Sequence, residues 1–284
     1  MSAPTSVLYD LPGPRALRRN RLIGVLGVLA VLGVLGLLLQ RMAAAGQLTA
    51  ARWTPFLYTD IQNALLDGLL ATLRVAVIGG ALALVLGVVL AAGQLSDHRV
   101  LRWPSVAVVQ LLRGLPLLLL IFALFLGSGG AISVFWSLVL GLVLYNGSVL
   151  AEVFRAGVLA VPSGQWEAAS ALGLRKTATM RFVLVPQAVR SMLPVIVAQL
   201  VVLLKDSALG FIVGYAELLR QGRIIGATYF NVIPSLIVVA AIYIAINLLL
   251  GWLATRLERR SRRVPGQRAT ERAEEDVASS ATGG

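Results

Sequence analysis

The stretch GQWEAASALGLRKTATMRFVLVPQ, residues 164–187, is a polar, alanine-rich segment between two long apolar runs. Ser163 just before it suits a helix N-cap, and a carboxylate at Glu167 favours the first turn of a helix. Gly173 suits the left-handed conformation that ends a helix. We therefore predict a short, sharply bounded helix over residues 165–172.

The sequence after Gly173 predicts a second helix that starts near Thr177 and enters the next apolar run. Pro186 and Pro194 lie inside this helix, and proline is a common cause of helix bending, so both are predicted hinges. The short helix before Gly173 is too short to be stable alone in water. It therefore needs a partner surface, or the rest of the chain, to hold it.

The composition indicates an integral membrane protein. Of the 284 residues, 58% are hydrophobic and only 13% are charged, whereas soluble domains carry about twice that charge. Runs of about 18 apolar residues can cross a bilayer as helices, which satisfy their own backbone hydrogen bonds in lipid. We predict an all-α fold with about six transmembrane helices, the third interrupted at residues 113–116. The predicted spans are residues 22–39, 69–92, 105–126, 131–151, 182–204 and 232–253.

The basic residues predict the orientation. Most of the 25 Lys and Arg residues fall in segments that share one side of the membrane if the N-terminus is cytoplasmic. Cytoplasmic loops carry an excess of Lys and Arg, so both termini and residues 164–187 are predicted to be cytoplasmic. The net charge of +12 then indicates contact with anionic lipid rather than nucleic acid. A cleavage signal after Ala43–Ala45 is the less favoured alternative to a retained first span.

The residues that several kinds of catalysis and ligand binding require are absent from the sequence. The sequence has no cysteine and no GxxxxGK[ST] phosphate-binding loop. Its one histidine, His98, falls in a predicted cytoplasmic loop, away from any serine that it could activate. We find no cluster of residues that predicts a metal site. We therefore predict no catalytic residue and no cofactor bound by this chain.

The decisive pattern is E-A-A, three residues, Gly, nine residues, then an aliphatic-x-aliphatic-Pro group. Here it is Glu167-Ala168-Ala169, Gly173 and residues 183–186. This pattern resembles the signature loop of permease subunits of binding-protein-dependent ABC importers. The flanks resemble the polar amino-acid branch: they are RGLP (113–116), AEVFRAGV (151–158), VPQAVR (185–190) and LLKDSALGFIVGYAEL (203–218). Three further stretches resemble the actinobacterial glutamate-import permeases more closely: VLYDLPGPR (7–15), the leucine run at 117–120 and LYNGSVLAEVFRAG (144–157).

The resemblance implies a type I ABC importer permease fold with a cytoplasmic coupling helix. Glu167, Ala168, Ala169 and Gly173 would form the site that docks on a cytoplasmic ATPase dimer, which holds ATP and Mg. The other implied partners are an extracellular substrate-binding protein and a second permease copy or a paralogue. The cargo would be an amino acid, with glutamate or a related polar one favoured, and the location would be a bacterial cell membrane. An ion-coupled secondary transporter is the alternative, because such transporters also use broken helices.

Polar side chains inside the spans are costly in lipid and usually face a cavity or the bundle interior. They are therefore the candidates for a substrate pathway. The candidates are Tyr145, Ser148, Glu152, Gln199, Lys205 and Asp206. An ion pair at the membrane surface is the alternative for Lys205 and Asp206, and simple packing is the alternative for Gln199.

The resulting domain organisation has three parts. Residues 1–21 form a cytoplasmic N-terminal segment, and residues 22–254 form the transmembrane permease domain, with the coupling loop at about 156–181. Residues 255–284 are basic and then polar, with too few apolar residues to bury a core, so we predict a disordered cytoplasmic tail.

Overall fold

The computed structural model describes residues 13–261, and every regular element in that range is helical. Residues 1–12 of the predicted N-terminal segment (1–21) and residues 262–284 of the predicted disordered tail (255–284) lie outside the described residues. The long elements are α1 (Pro14–Ala44), α3 (Thr59–Gln94), α4 (Arg99–Gly114), α5 (Leu117–Gly127), α6 (Val134–Leu159), α9 (Val185–Asp206), α10 (Leu218–Thr228) and α11 (Val232–Ser261). The short helices are α2 (Ala50–Trp53), α7 (Ser163–Ala171) and α8 (Lys176–Thr179).

The prediction of about six spans is confirmed. Within the described residues, five helices are long and apolar enough to cross a membrane, and the number is six when the bent pair α4 and α5 is counted as one broken span. The axes of α4 and α5 differ by 98°, and the break falls where the sequence predicts it. Pro116 disfavours the helical conformation at the residue before it, and Leu115 is accordingly extended, with φ −90° and ψ 134°.

The second span begins ten residues earlier than predicted. α3 starts at Thr59 and runs for 36 residues, because its polar first turns continue the helix beyond the apolar run at Leu69. Arg74 therefore lies well inside the helix rather than near its start. The charge of Arg74 lies over the ring of Phe135, 5.1 Å from the ring centre, which is a favourable place for a cation in apolar surroundings.

The core of the bundle lies where α3 crosses α6. Glycine is required on both sides of the crossing: a Cβ at Gly87 would lie 2.9 Å from Leu150 Cβ, and one at Gly147 would lie 2.9 Å from a side-chain carbon of Leu86. Fully buried Leu142 also belongs to this core. The two helices thus approach closely enough to fix the position of everything attached to their ends.

A smaller apolar cluster joins the beginning of α3 to α10 and α11. Thr72 accepts a 3.1 Å hydrogen bond from the backbone N–H of Leu218. Glu217, which is fully buried, caps α10 by accepting hydrogen bonds from the backbone N–H groups of Leu219 and Arg220, both at 2.7 Å. The hydroxyl of Tyr243 also donates to Glu217, at 3.0 Å.

The helix α1 differs from the other spans in its surroundings. None of the 18 most apolar consecutive residues of α1 is buried against the described chain, whereas 61% of the corresponding residues of α6 are buried. A Cβ atom added at any of the glycines of α1 would meet nothing within 4 Å. The packed unit within the described residues therefore consists of the elements that follow α1.

Candidate functional site

The predicted short helix is α7, residues Ser163–Ala171. It begins two residues earlier than predicted, and its N-cap is Pro162 rather than Ser163. Pro162 has an extended ψ of 135°, so the helix begins directly after it, and no side chain caps this end. Ser163 occupies the first helical position instead.

The C-terminal end of α7 has the predicted glycine stop. Gly173 has a φ of +74°, in the left-handed region that favours glycine. Its N–H donates to the carbonyl of Ser170 at 2.9 Å, and the N–H of Leu174 donates to the carbonyl of Ala169 at 3.1 Å. This pair of bonds is the Schellman motif, so α7 ends abruptly and its last carbonyls are satisfied.

The predicted docking residues divide between two sides of α7. Glu167 and Ala168 are exposed, whereas Ala169 is 3% exposed and packs against the bundle. Leu172 is 81% exposed and Trp166 is 37% exposed. Neither residue was among the predicted docking residues. Both could have been predicted from the sequence, because they are large apolar side chains in a helical segment outside the apolar runs.

Two polar contacts hold the α7 region to the bundle. The amide of Gln187, in α9, donates a 3.1 Å hydrogen bond to the side-chain oxygen of Gln165. Lys176, which begins α8, donates to the carboxylate of Asp97 and, at 3.2 Å, to the carbonyl of Leu95. The hydrogen bond from Lys176 lowers the pKa of Asp97 below its ordinary value. The turn between α3 and α4 and the predicted coupling loop therefore lie at the same end of the bundle.

The predicted hinge at Pro186 follows a turn of π-helix, residues Met180–Leu184. The N–H of Val185 donates to the carbonyl of Met180, five residues earlier. Such a wide turn gives room for a proline, which has no N–H and crowds the preceding turn. The segment Lys176–Phe211 remains one continuous span, with Pro194 inside it, and the hinge role of both prolines stays a prediction.

The predicted pathway residues do not form one cluster. Gln199 donates a 2.8 Å hydrogen bond to the side chain of Asn146, which is fully buried and was not among the predicted residues. Tyr145 and Ser148 flank Asn146 on α6. The hydroxyl of Ser148 is buried and donates to the carbonyl of Tyr145 at 2.6 Å, so its own helix satisfies it.

Glu152 belongs to a separate ionic group near the end of α6. Its carboxylate lies 3.0 Å from the guanidinium of Arg155 and 4.0 Å from that of Arg113. Arg113 is the next-to-last residue of α4. The ionic group therefore links the broken third span to the fourth.

Lys205 lines a cavity of about 460 Å³ between α9, α10 and α11. Tyr243 and Asn247 line the same cavity, whose walls are otherwise apolar. The side-chain oxygen of Asn247 is buried and has no hydrogen-bond partner in the described chain. Asp206 follows Lys205 but is not among the lining residues. In residues 13–261, no three His, Asp or Glu side chains lie close enough together to hold a metal ion.

Comparison with known proteins gives consistent results. Residues 83–263 match the family described as the binding-protein-dependent transport system inner membrane component. The chain is 41% identical over 228 residues to the glutamate transport system permease protein GluD of Corynebacterium glutamicum, covering 78% of this chain and 84% of that protein. It is 33% identical over 200 residues to the arginine transport system permease protein ArtQ of Bacillus subtilis, covering 69% and 91%.

A solved structure agrees in fold. The chain superposes on a crystal structure of an amino acid ABC transporter with histidines, with a TM-score of 0.67 and 30% identity, over 70% of this chain and 94% of that one. The family match covers more than half of the sequence, including α7 and the glycine that ends it. The chain is therefore a member of the family of binding-protein-dependent transport system inner membrane components.

Proposed function

We propose that this chain is the permease subunit of an ATP-driven, binding-protein-dependent amino-acid importer. It would move its cargo by alternating access, with the energy supplied by a separate ATPase. The observation that carries the proposal is α7: a short helix with a fixed end, outside the apolar spans, that exposes Leu172 and Trp166. Exposed apolar side chains outside the spans can form part of a surface for another protein.

The ATPase would be a cytoplasmic dimer that binds ATP and Mg, with one α7 docked on each of its subunits. Two copies of α7 require a second permease, which is either another copy of this chain or a paralogue. An extracellular binding protein would deliver the cargo to the opposite end of the bundle. In this proposal both termini would lie in the cytoplasm of a bacterial cell, and the distribution of basic residues supports that orientation.

The cargo class follows from the relatives. The two relatives above are named for glutamate and arginine transport, and these amino acids share an α-carboxylate and an α-ammonium group. Glutamate is the favoured cargo, because the glutamate permease has the higher identity. In the described residues, the cavity at Lys205 offers a cation for a carboxylate and, at Asn247, an unpartnered oxygen for an ammonium.

The geometry suits transmission of a movement from α7 to the spans. α7 has a fixed C-terminal end, so a pull on it moves the chain beyond Gly173 rather than unwinding the helix. The hydrogen bond between Gln165 and Gln187 connects α7 to α9. The residue Lys205, which lines the cavity, lies at the other end of that same helix.

The test is uptake of radiolabelled glutamate into proteoliposomes that contain the permease, its ATPase and its binding protein, with ATP enclosed at the ATPase side. We expect uptake that requires ATP, the ATPase and the binding protein, and that continues when ionophores collapse every ion gradient. Uptake driven by an ion gradient without the ATPase would contradict the proposal and favour a secondary transporter. The structural feature that agrees with this alternative is the 98° break between α4 and α5, because secondary transporters use broken helices.

A further inference from the structure

Lys176 joins the α7 region to the first core span of the bundle. Its ammonium group donates to two acceptors at the end of α3: the carbonyl of Leu95, which is the C-cap residue, and the carboxylate of Asp97. These acceptors lie 81 and 79 residues away in the sequence. The contact therefore connects two distant segments at one end of the bundle.

The chemistry of this contact suits a fixed attachment. The last carbonyls of a helix have no partner within the helix, and a cation there is favoured by the helix dipole. Asp97 adds a second, charged acceptor, so Lys176 is held from two directions. The side chain of Lys176 is 39% exposed and that of Asp97 is 75% exposed.

The position of the contact in the chain gives it mechanical importance. Lys176 follows Gly173 by three residues, so the path from the fixed end of α7 to this contact is short. α7 itself buries only Ala169. The other polar contact of α7, between Gln165 and Gln187, leads to α9. The contact at Lys176 leads instead to α3 and to the turn before the broken span.

We propose that Lys176 is a positioning residue for transport, which transmits movement of α7 to the turn between α3 and α4. The proposal rests on the proposed function, since it assumes that an ATPase moves α7. Without the contact, the ATPase would still move α7 and hydrolyse ATP, but α3 and α4 would follow less completely. The loss would appear in the amount of amino acid carried for each ATP hydrolysed.

The test compares variants in the reconstituted transporter with glutamate as the cargo. Lys176→Met removes the charge and keeps the length of the side chain. We expect uptake per ATP to fall about three- to tenfold, with ATP hydrolysis retained. The matched control is Arg175→Met, because Arg175 is exposed and makes no ion pair within the described residues. The control should behave as wild type.

A charge exchange separates transmission from a general structural effect. The double variant Asp97→Lys with Lys176→Asp restores an ion pair between the two segments, and we expect it to recover at least about half of the lost coupling. Equal loss of uptake and ATP hydrolysis in Lys176→Met, or equal behaviour of Lys176→Met and Arg175→Met, would overturn the proposal. Failure of the wild type to use ATP would instead overturn the proposed function, so the two failures are distinct.

Discussion

Gln199 and Asn146 form a hydrogen-bonded pair between α9 and α6, with the amide of Gln199 2.8 Å from the side-chain oxygen of Asn146. The amide of Asn146 in turn donates to the carbonyl of Leu142 at 3.1 Å. Asn146 is fully buried. The pair therefore joins the helix that follows the coupling loop to the central helix of the bundle, and both side-chain polar atoms of Asn146 are satisfied away from water.

The pair should contribute to stability in a way that a double-mutant cycle can measure. Asn146→Leu removes the acceptor and leaves the amide of Gln199 without it, so we expect a lower stability in detergent. Replacing both residues by leucine should cost less than the sum of the single changes, with a coupling of about 0.6–1.7 kcal/mol. Strictly additive effects on the unfolding free energy would show that the pair makes no net contribution.

Gly173→Val should separate ATP hydrolysis from uptake. A Cβ at Gly173 meets nothing within 4 Å, but the φ of +74° remains unfavourable for valine, at about 1–2 kcal/mol. The end of α7 should change shape, and uptake per ATP should fall by a factor of about 5–30. Gly164→Val is the control, because Gly164 also has open space and lacks a positive φ. Normal coupled uptake by Gly173→Val would contradict the role given to this helix end.

Glu217 gives a prediction about pH. Burial raises the pKa of this carboxyl above its ordinary value of 4.5, although two backbone N–H groups and Tyr243 oppose the shift. The folded state thus binds the proton more tightly than the unfolded state, and stability is lost as the pH rises through the folded pKa.

Glu217→Gln removes this pH dependence, along with one hydrogen-bond acceptor, so the variant is compared with the wild type at each pH. The melting temperature of the variant minus that of the wild type should therefore increase between pH 4.5 and 8. Each kcal/mol corresponds to about 2–4 °C for a domain of this size. A difference that stays constant or decreases would mean that Glu217 is not destabilised by burial.

Lys205→Met should weaken uptake through KM. If the ammonium group of Lys205 binds the carboxylate of the cargo in the cavity, its loss should raise the KM for glutamate about tenfold or more. Lys205→Arg keeps the charge and should keep most of the affinity. The measurement is the concentration dependence of initial uptake at saturating binding protein. An unchanged KM in Lys205→Met would remove Lys205 from the pathway.

The sequence predicts the spans well because hydropathy and proline act locally. Pro116 alone is enough to place the break in the third span, and Gly173 is enough to place the end of α7. The helix α3 begins ten residues before the predicted span, because a helix continues past its apolar run when polar residues such as Gln62 and Asp67 form its first turns. Local propensity does not report where a helix leaves the membrane.

The arrangement of the candidate site was predicted less well, because it depends on contacts between distant segments. The partner of Gln199 lies 53 residues away, and no local pattern distinguishes Asn146 from a packing residue. Lys176 and Asp97 likewise meet only through the fold. The six predicted pathway residues share polarity, but the structure distributes five of them among three separate surroundings, and Asp206 does not line the cavity of its neighbour Lys205.

The central claim is that a separate ATPase binds α7, and thiol labelling tests this claim most directly. The chain has no cysteine, so Leu172→Cys introduces a single thiol at an 81% exposed position. Leu57→Cys is the control, since Leu57 is 75% exposed and lies beyond the opposite end of α3.

Both variants are labelled in nanodiscs, where each face of the bundle is accessible, with and without the ATPase. We predict that the ATPase slows labelling of Leu172→Cys about tenfold or more when it occupies most of the permease, and leaves Leu57→Cys unchanged. Equal labelling of Leu172→Cys with and without bound ATPase would contradict the account.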